Sequence, residues 1–584
     1  MIADDTLLLR ARFEDSLDLL RRAYARAEYR GAEIEVWTFD DRERRDALRR
    51  ALEAAGARAV VRSALKPLLH AVLEEIDFAD GDHVFIRYPV TPDAPENRFR
   101  LEAYPVAELL CGRGCELIPA LVAAGEAPSY EVAIRRAGET LRAHRVFAPN
   151  IRRRDHTGEA PLTPTGWLRI RHPERPELDR DEPLETDCER AFLAIMDCVA
   201  ALPWSGDAPL FNRLEVRIAA PFRDAALPVG HEHVSMAEAM HEEVYFSILE
   251  ALRLRSGGDA TSRAVAPGQI APMLSRADAG ITVEVRTAAH RPRPTGAAAP
   301  PRDLSLTREP LTGREIEAAL DALGGERFAA VSRLGWRVEG RRHRGAGPGV
   351  FLSAGQHANE PTGPVGALRA APELIARGAD LALAPMKNPE GLALCEELYA
   401  DWPTHMNHAA RYTSGGDDLE YVDLGFEKEI YRKARALTGA DLHVNLHGYP
   451  AREWVRPFSG YLPRDFAMWS LPKGFLLLLR HGPGRGREAQ AIVDHVAARL
   501  AENADISALT RAQLARYERY AGSSPFETRS GFPFLIQERA DLIFPLTLIT
   551  EAPDETVHGD DFAIWTEAQR IAAIAAYEAV AGSA

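Results

Sequence analysis

Cysteine is scarce in this chain. Five residues (Cys111, Cys115, Cys188, Cys198 and Cys395) in 584 are too few for a disulfide framework to organise so long a polypeptide. Cys111 and Cys115 stand close together, but no second pair follows them, so a zinc ribbon is not supported. Long apolar runs are missing as well. The longest candidate, GFLLLL at residues 474–479, is far short of the roughly 20 residues that cross a bilayer. Basic charge is not in excess: 71 Lys and Arg against 86 Asp and Glu give −15, which argues against nucleic acid or an anionic membrane as the main partner. No arginine-rich patch with interleaved aromatics marks an RNA-binding surface. The opening MIADDTLLLRARFED carries early acids and no cleavable apolar segment. These absences together predict a cytoplasmic protein.

What is present is the composition of a soluble globular protein, 46% hydrophobic and 27% charged. At this length two to four domains are expected. Residues 1–289 alternate helical and strand-like patterns, with strands at AEIEVWTF, HVFIRYPV, SYEVAIRRAG, WLRIRHP and LEVRIAAPF, and read as α/β or α+β without a nameable fold. Ser235 with Glu238 forms a capping-box pattern that opens a long helix over 236–254. Just there, GHEHVSMAEAMHEE gathers His231, His233 and His241 among acids. A second metal site is one reading; a polar turn entering a solvated helix face is preferred. Another imidazole–carboxylate pair, His156 and Glu159, is read as coincidence. HRPRPTGAAAPPRD, with its prolines and small residues, is the clearest linker, placing a boundary at 290–311. Thr312 and Glu315 then cap the first helix of a C-terminal domain, 312–584.

The chemistry concentrates in that second half. GVFLSAGQHANEPTG, residues 349–363, is an apolar strand that runs into Gly355 and a loop presenting His357 and Glu360. An imidazole and a carboxylate three residues apart make a plausible zinc half-site, although the spacing alone arises by chance. Downstream, ADLHVNLHGYP gives a second buried strand ending in His447-Gly448-Tyr449, and APMKNPEG lies between them.

These segments, in this order, resemble the zinc carboxypeptidase superfamily, including its aspartoacylase and succinylglutamate desuccinylase branch. The resemblance covers 312–584 only. It implies an α/β sandwich with a mixed sheet and a Zn2+ ion held by His357, Glu360 and His447. It also implies that Asp418 orients the first histidine, that Arg411 polarises the scissile carbonyl, and that Glu551 is the general base acting on water. Glu555 is the competitor for that base, and Ala552-Pro553 is read as the end of Glu551's strand. The Asn-Pro-Asp-Gly turn of the family has Glu390 in place of Asp. Tyr520 is available for the tyrosine that peptidase members use, but no motif fixes it. His443 is read as packing or hydrogen-bonding, and His405 and His408 as loop residues without a partner pattern.

Two expectations concern substrate. The aromatic stretch at residues 448–475 is read as pocket wall, with Tyr449 and Arg456 as substrate-binding candidates. Classical carboxypeptidases grip a terminal carboxylate with an Asn-Arg pair after the Asp, whereas Leu419, Glu420 and Tyr421 follow Asp418 here. Glu420 in the site would repel a carboxylate, so little activity on free C-termini is expected unless Arg452, Arg456 or Arg464 substitutes. The function implied is a zinc metallopeptidase of carboxypeptidase type. A deacylase of N-acyl amino acids is the alternative within hydrolases, and a zinc-free binding or scaffold protein the alternative outside them. The partner is accordingly a peptide or an N-acylated small molecule.

Overall fold

A computed structural model describes all residues except 111, 205, 207–208, 264, 297–298, 301, 422–424 and 583–584. Cys111 therefore lies outside the described residues. The C-terminal half is built on one nine-stranded mixed sheet. In chain order its strands are β1 (Glu326–Val331), β2 (Arg337–His343), β3 (Gly349–Ala354), β4 (Asp380–Ala384), β5 (Leu442–Pro450), β6 (Leu476–His481), β7 (Glu527–Arg529), β8 (Phe532–Glu538) and β9 (Leu546–Glu555). Their spatial order is β1-β2-β4-β3-β5-β9-β6-β8-β7. The central strands β4, β3, β5 and β9 run parallel. They are near-continuous apolar runs, as strands covered on both faces must be.

Helices cover both faces. Thr362–Ala376, Gly486–Ala501 and Gly559–Ala581 pack one side around Val350, Leu352, Leu446, Leu548 and Trp565. Glu429–Thr438 closes the other over Phe351, Ala382 and Phe544. The capping box read from Thr312 and Glu315 is fully formed.

Among the described residues, 1–289 form three four-stranded sheets and two two-stranded ladders, so this half mixes strand and helix as its sequence indicates. Its central element is helix α1 (Met236–Arg255). The expectation of a solvated face on this helix is overturned: 17 of its residues are buried, among them Glu238, His241, Glu242, Glu243 and Glu250. Each of these glutamates meets a partner from the C-terminal half. Glu238 takes Arg452, Glu242 takes His408, Glu243 accepts from the Phe458 amide at 2.7 Å, and Glu250 takes Arg456. Buried carboxylates are stable only when so paired. The capping box at Ser235 is half made, because Ser235 accepts from the Glu238 amide while the Glu238 carboxylate is drawn to Arg452. One hydrophobic cluster crosses between the halves, joining Phe192, Met240 and Phe246 to Trp402, Met406 and Trp454. The loop 402–421 is consequently mostly buried, with His405, Asn407, His408, Asp417 and Asp418 all inside and Tyr421 exposed at its end.

Candidate active site

Gly355 ends β3 with φ +61°, and a Cβ there would press on the Met386 backbone and side chain. Glycine is therefore required for the turn that swings His357 and Glu360 across the end of the sheet. His447 reaches the same point from β5. Gly448 beside it leaves room for Asp554, which a Cβ would meet at 1.9 Å. Asp554 in turn accepts from the Thr362 amide at 2.9 Å, tying β9 to the start of the helix that follows the loop.

Three side chains converge there. His357 Nδ1 lies 2.6 Å from Glu360 Oε1, and His447 Nδ1 lies 2.9 Å from Glu360 Oε2. All three are buried. Two imidazole nitrogens thus face both oxygens of one carboxylate, a donor set that fits a divalent zinc-class ion. Burial would raise the Glu360 carboxyl, but His357 and His447 hold it well below the usual carboxylate range. Burial lowers His447 to about 4, leaving a neutral imidazole. Burial and Arg411 would lower His357, but Glu360 and Asp418 outweigh them and raise it. Anionic carboxylate and neutral imidazole are the forms that bind metal, so Glu360 and His447 are already in the binding form and His357 gives up a proton to bind. Asp418 Oδ1 lies 3.3 Å from His357 Nε2 and also accepts from the Glu420 amide at 3.0 Å, which fixes the imidazole from behind.

Arg411 is drawn into the same group, with Nη1 3.0 Å from Glu360 Oε1 and 3.7 Å from Glu555 Oε1. Glu551 stands opposite His447 in the β5–β9 register. Burial, with the Glu360 charge adding to it, pushes the Glu551 carboxyl well above its ordinary value, against Arg411 and Lys473. The strand does not stop at Ala552-Pro553 as the sequence suggests but continues to Glu555. Beyond Glu551 its partner β6 has ended, so Pro553 lacks a strand on that side and its missing N–H leaves no gap.

A cavity of about 300 Å³ opens on this group. His357, His447, Arg411, Asp418, Glu420, Tyr449 and Glu551 all line it, while Glu360 and Glu555 are buried and not among the lining residues. Tyr449 offers only its ring, since its hydroxyl donates to the Gly474 carbonyl and accepts from the Lys473 amide. The pocket-wall reading of the aromatic stretch corresponds to Trp454, Phe466 and Trp469 in the lining.

Other candidates fall elsewhere. Arg456 is not in the cavity; it is 1% exposed and held by Glu250, because the acidic face of α1 claims it. Arg452 and Arg464 are likewise taken, by Glu238 and by Glu250 with Asp155. Glu390 accepts from the Leu334 amide, and Tyr520 packs on Tyr104 and bonds Glu108, both away from the cavity. His443 stacks on Phe351 and lies 2.8 Å from Ser353 Oγ. His156 meets Glu250 rather than Glu159.

Sequence reasoning missed three contributors. His408 lines the cavity with Nδ1 2.7 Å from Glu242 and Nε2 3.2 Å from Glu555. Burial alone would lower its pKa, but the two carboxylates outweigh it and raise it to about 10. Lys387, fully buried, donates to Ser353, Gln356, Tyr431 and Asn445 beneath the loop, and burial lowers it to about 7. Arg263, from the N-terminal half, enters the cavity wall over the rings of Phe466 and Tyr421. Its carbonyl accepts from the Asp418 amide at 2.9 Å. Lys387 sits within APMKNPEG and His408 three residues before Arg411, but nothing local in sequence marks their roles, and Arg263 lies far from the site in sequence.

No family model matches the chain, and no curated protein matches it. Solved structures similar to it include a metallo-carboxypeptidase from Burkholderia cenocepacia, at 13% identity over 52% of this chain and 74% of that one, with a TM-score of 0.28. Bovine thrombin-activatable fibrinolysis inhibitor, solved with tick carboxypeptidase inhibitor, aligns at 10% identity over 46% and 95%, with a TM-score of 0.28. An aspartoacylase family protein from Mesorhizobium loti aligns at 15% identity over 46% and 71%, with a TM-score of 0.25. Each likeness spans about half of this chain. At such low scores they carry nothing about the site, whose chemistry stands on the distances above. Among the described residues no helix is long and apolar enough to cross a membrane.

Proposed function

We propose that the protein is a metal-dependent hydrolase of amide bonds, with zinc held by His357, Glu360 and His447. The observation that carries this is the convergence of two imidazole Nδ1 atoms on one carboxylate beside a cavity that also holds Arg411 and Glu551. When bound there, zinc supplies Lewis acidity toward a carbonyl oxygen and makes water easier to deprotonate. The protein's own groups divide the remaining work. Glu551 accepts a proton from the attacking water and returns it to the leaving nitrogen, a role suited to a carboxyl with raised proton affinity. Arg411 presents a fixed positive charge to the oxygen on which negative charge develops. Asp418 holds the His357 ring in place.

The cavity also bears on substrate. Its volume suits a single residue or a small acyl group. Glu420, whose charge would repel a carboxylate, is paired with Arg480, so that repulsion is cancelled. Arg263 faces the same space over aromatic rings, without a carboxylate partner among the described residues. A guanidinium so placed favours a substrate carboxylate. The preference for uncharged ends that Glu420 suggested is therefore replaced by a preference for the free acid. Matched short peptides and N-acyl amino acids with free or amidated carboxyl groups test this. Wild type should cleave the free acids at least about tenfold better, a difference of about 1.4 kcal/mol. Arg263→Ala should erase that ratio by raising KM. Equal cleavage of both forms by wild type would remove Arg263 from recognition. A peptidase and a deacylase differ in which members of this panel are cut.

A further inference from the structure

The described residues contain a second convergence of metal-ligating side chains, outside the cavity. Asp224, His233 and His405 each place a ligand atom within 4.8 Å of the others. They come from three separate stretches of chain. Asp224 follows the strand Arg213–Ala220, and His233 sits opposite Ala226 in the small ladder beyond it. His405 belongs to the buried loop of the C-terminal half that goes on to carry His408, Arg411 and Asp418. His231 and His241, the other histidines of the sequence cluster, turn elsewhere: His231 pairs with Asp561, and His241 packs inside α1's buried surroundings.

The geometry resembles that of the first group. His405 Nε2 lies 2.9 Å from Asp224 Oδ2, close to the 2.9 Å between His447 and Glu360. The rings of His233 and His405 are 5.9 Å apart. Asp224 Oδ1 is buried without a hydrogen bond of good geometry, although His405 and Ser235 both approach its carboxylate. A buried, unpaired carboxylate oxygen needs explaining, and a cation among the three residues explains it. The neighbouring guanidinium of Arg452 does not oppose a cation, because it donates to both oxygens of Glu238. His405 is held rigidly by stacking on Trp402 at 4.6 Å. Asp224 and His233 are only partly buried, which leaves a path for an ion.

We propose that Asp224, His233 and His405 bind a second divalent ion of the zinc class, which fastens the N-terminal half to the loop bearing Arg411 and Asp418. Two imidazoles and a carboxylate suit zinc over magnesium or calcium, which take oxygen ligands. The site is stabilising rather than catalytic, since it lies off the cavity lining.

The test is metal stoichiometry in the full chain, stripped with chelator and reloaded with Zn2+ alone. Wild type should hold two ions per chain. Asp224→Ala and His233→Ala should each hold one and keep the ion that His447→Ala loses. Co2+ at either site should quench tryptophan emission, since Trp454 and Trp469 line the first cavity and Trp402 stacks on His405; the component that persists in His447→Ala and is lost in Asp224→Ala reports this site. If Asp224→Ala and His233→Ala do not fold, His447→Ala alone decides: one ion retained supports the second site, none overturns it. A wild type with one ion, unchanged in Asp224→Ala and absent in His447→Ala, overturns the second site while leaving the proposed function intact.

Discussion

Glu551→Gln is expected to keep its fold and its metal while turnover falls by about a hundredfold or more. Glutamine has nearly the shape of glutamate and cannot accept the proton. Glu551 lines the cavity beside His447 without being part of the group that holds the ion, so the loss should appear in kcat and leave zinc content near the wild-type level. Glu555 offers the discriminating comparison. It is fully buried against His408 and Arg411, so Glu555→Gln should lower stability and affect catalysis only through those two residues. Full activity in Glu551→Gln together with a dead, well-folded Glu555→Gln would transfer the base to Glu555.

His447→Ala has the other large effect. It removes one of two imidazoles facing Glu360 and leaves that buried carboxylate with less to offset its charge. Zinc at this site should fall to near zero, and hydrolysis should fall at least as far as in Glu551→Gln. His357→Ala should behave alike, because the two nitrogens occupy equivalent places on the two oxygens of Glu360. Metal analysis beside rate measurements reads both effects. No loss of zinc per chain in either variant would place the metal elsewhere.

That His357, Glu360 and His447 come together was legible because their signals are local. The apolar runs of β3 and β5 are strands buried on both faces, each followed by small or polar residues that end the strand, and His357, Glu360 and His447 stand at those ends. The same local logic misplaced the end of β9. Ala552-Pro553 is strong punctuation, yet the ladder with β5 continues to Glu555 because proline there faces no further strand. The rest was hidden by distance along the chain. His408 finds Glu242 and His405 finds Asp224 across more than 160 residues. Read alone, α1 carries so many acids that it resembles a solvated helix, and only the arginines and histidine of the other half explain its burial. Arg456 failed as a substrate ligand for the same reason: its buried acidic partners are invisible in its own neighbourhood.

Amide hydrolysis at this cavity should depend on a zinc-class ion held by His357, Glu360 and His447. The direct measurement is hydrolysis of a panel of short peptides and N-acyl amino acids before chelation, after chelation, and after Zn2+ is returned. At least one free-acid substrate should be cleaved, the activity should fall to background on chelation, and zinc should restore it in wild type but not in His447→Ala. Cleavage that survives complete removal of metal, or that returns equally in His447→Ala, would contradict that dependence.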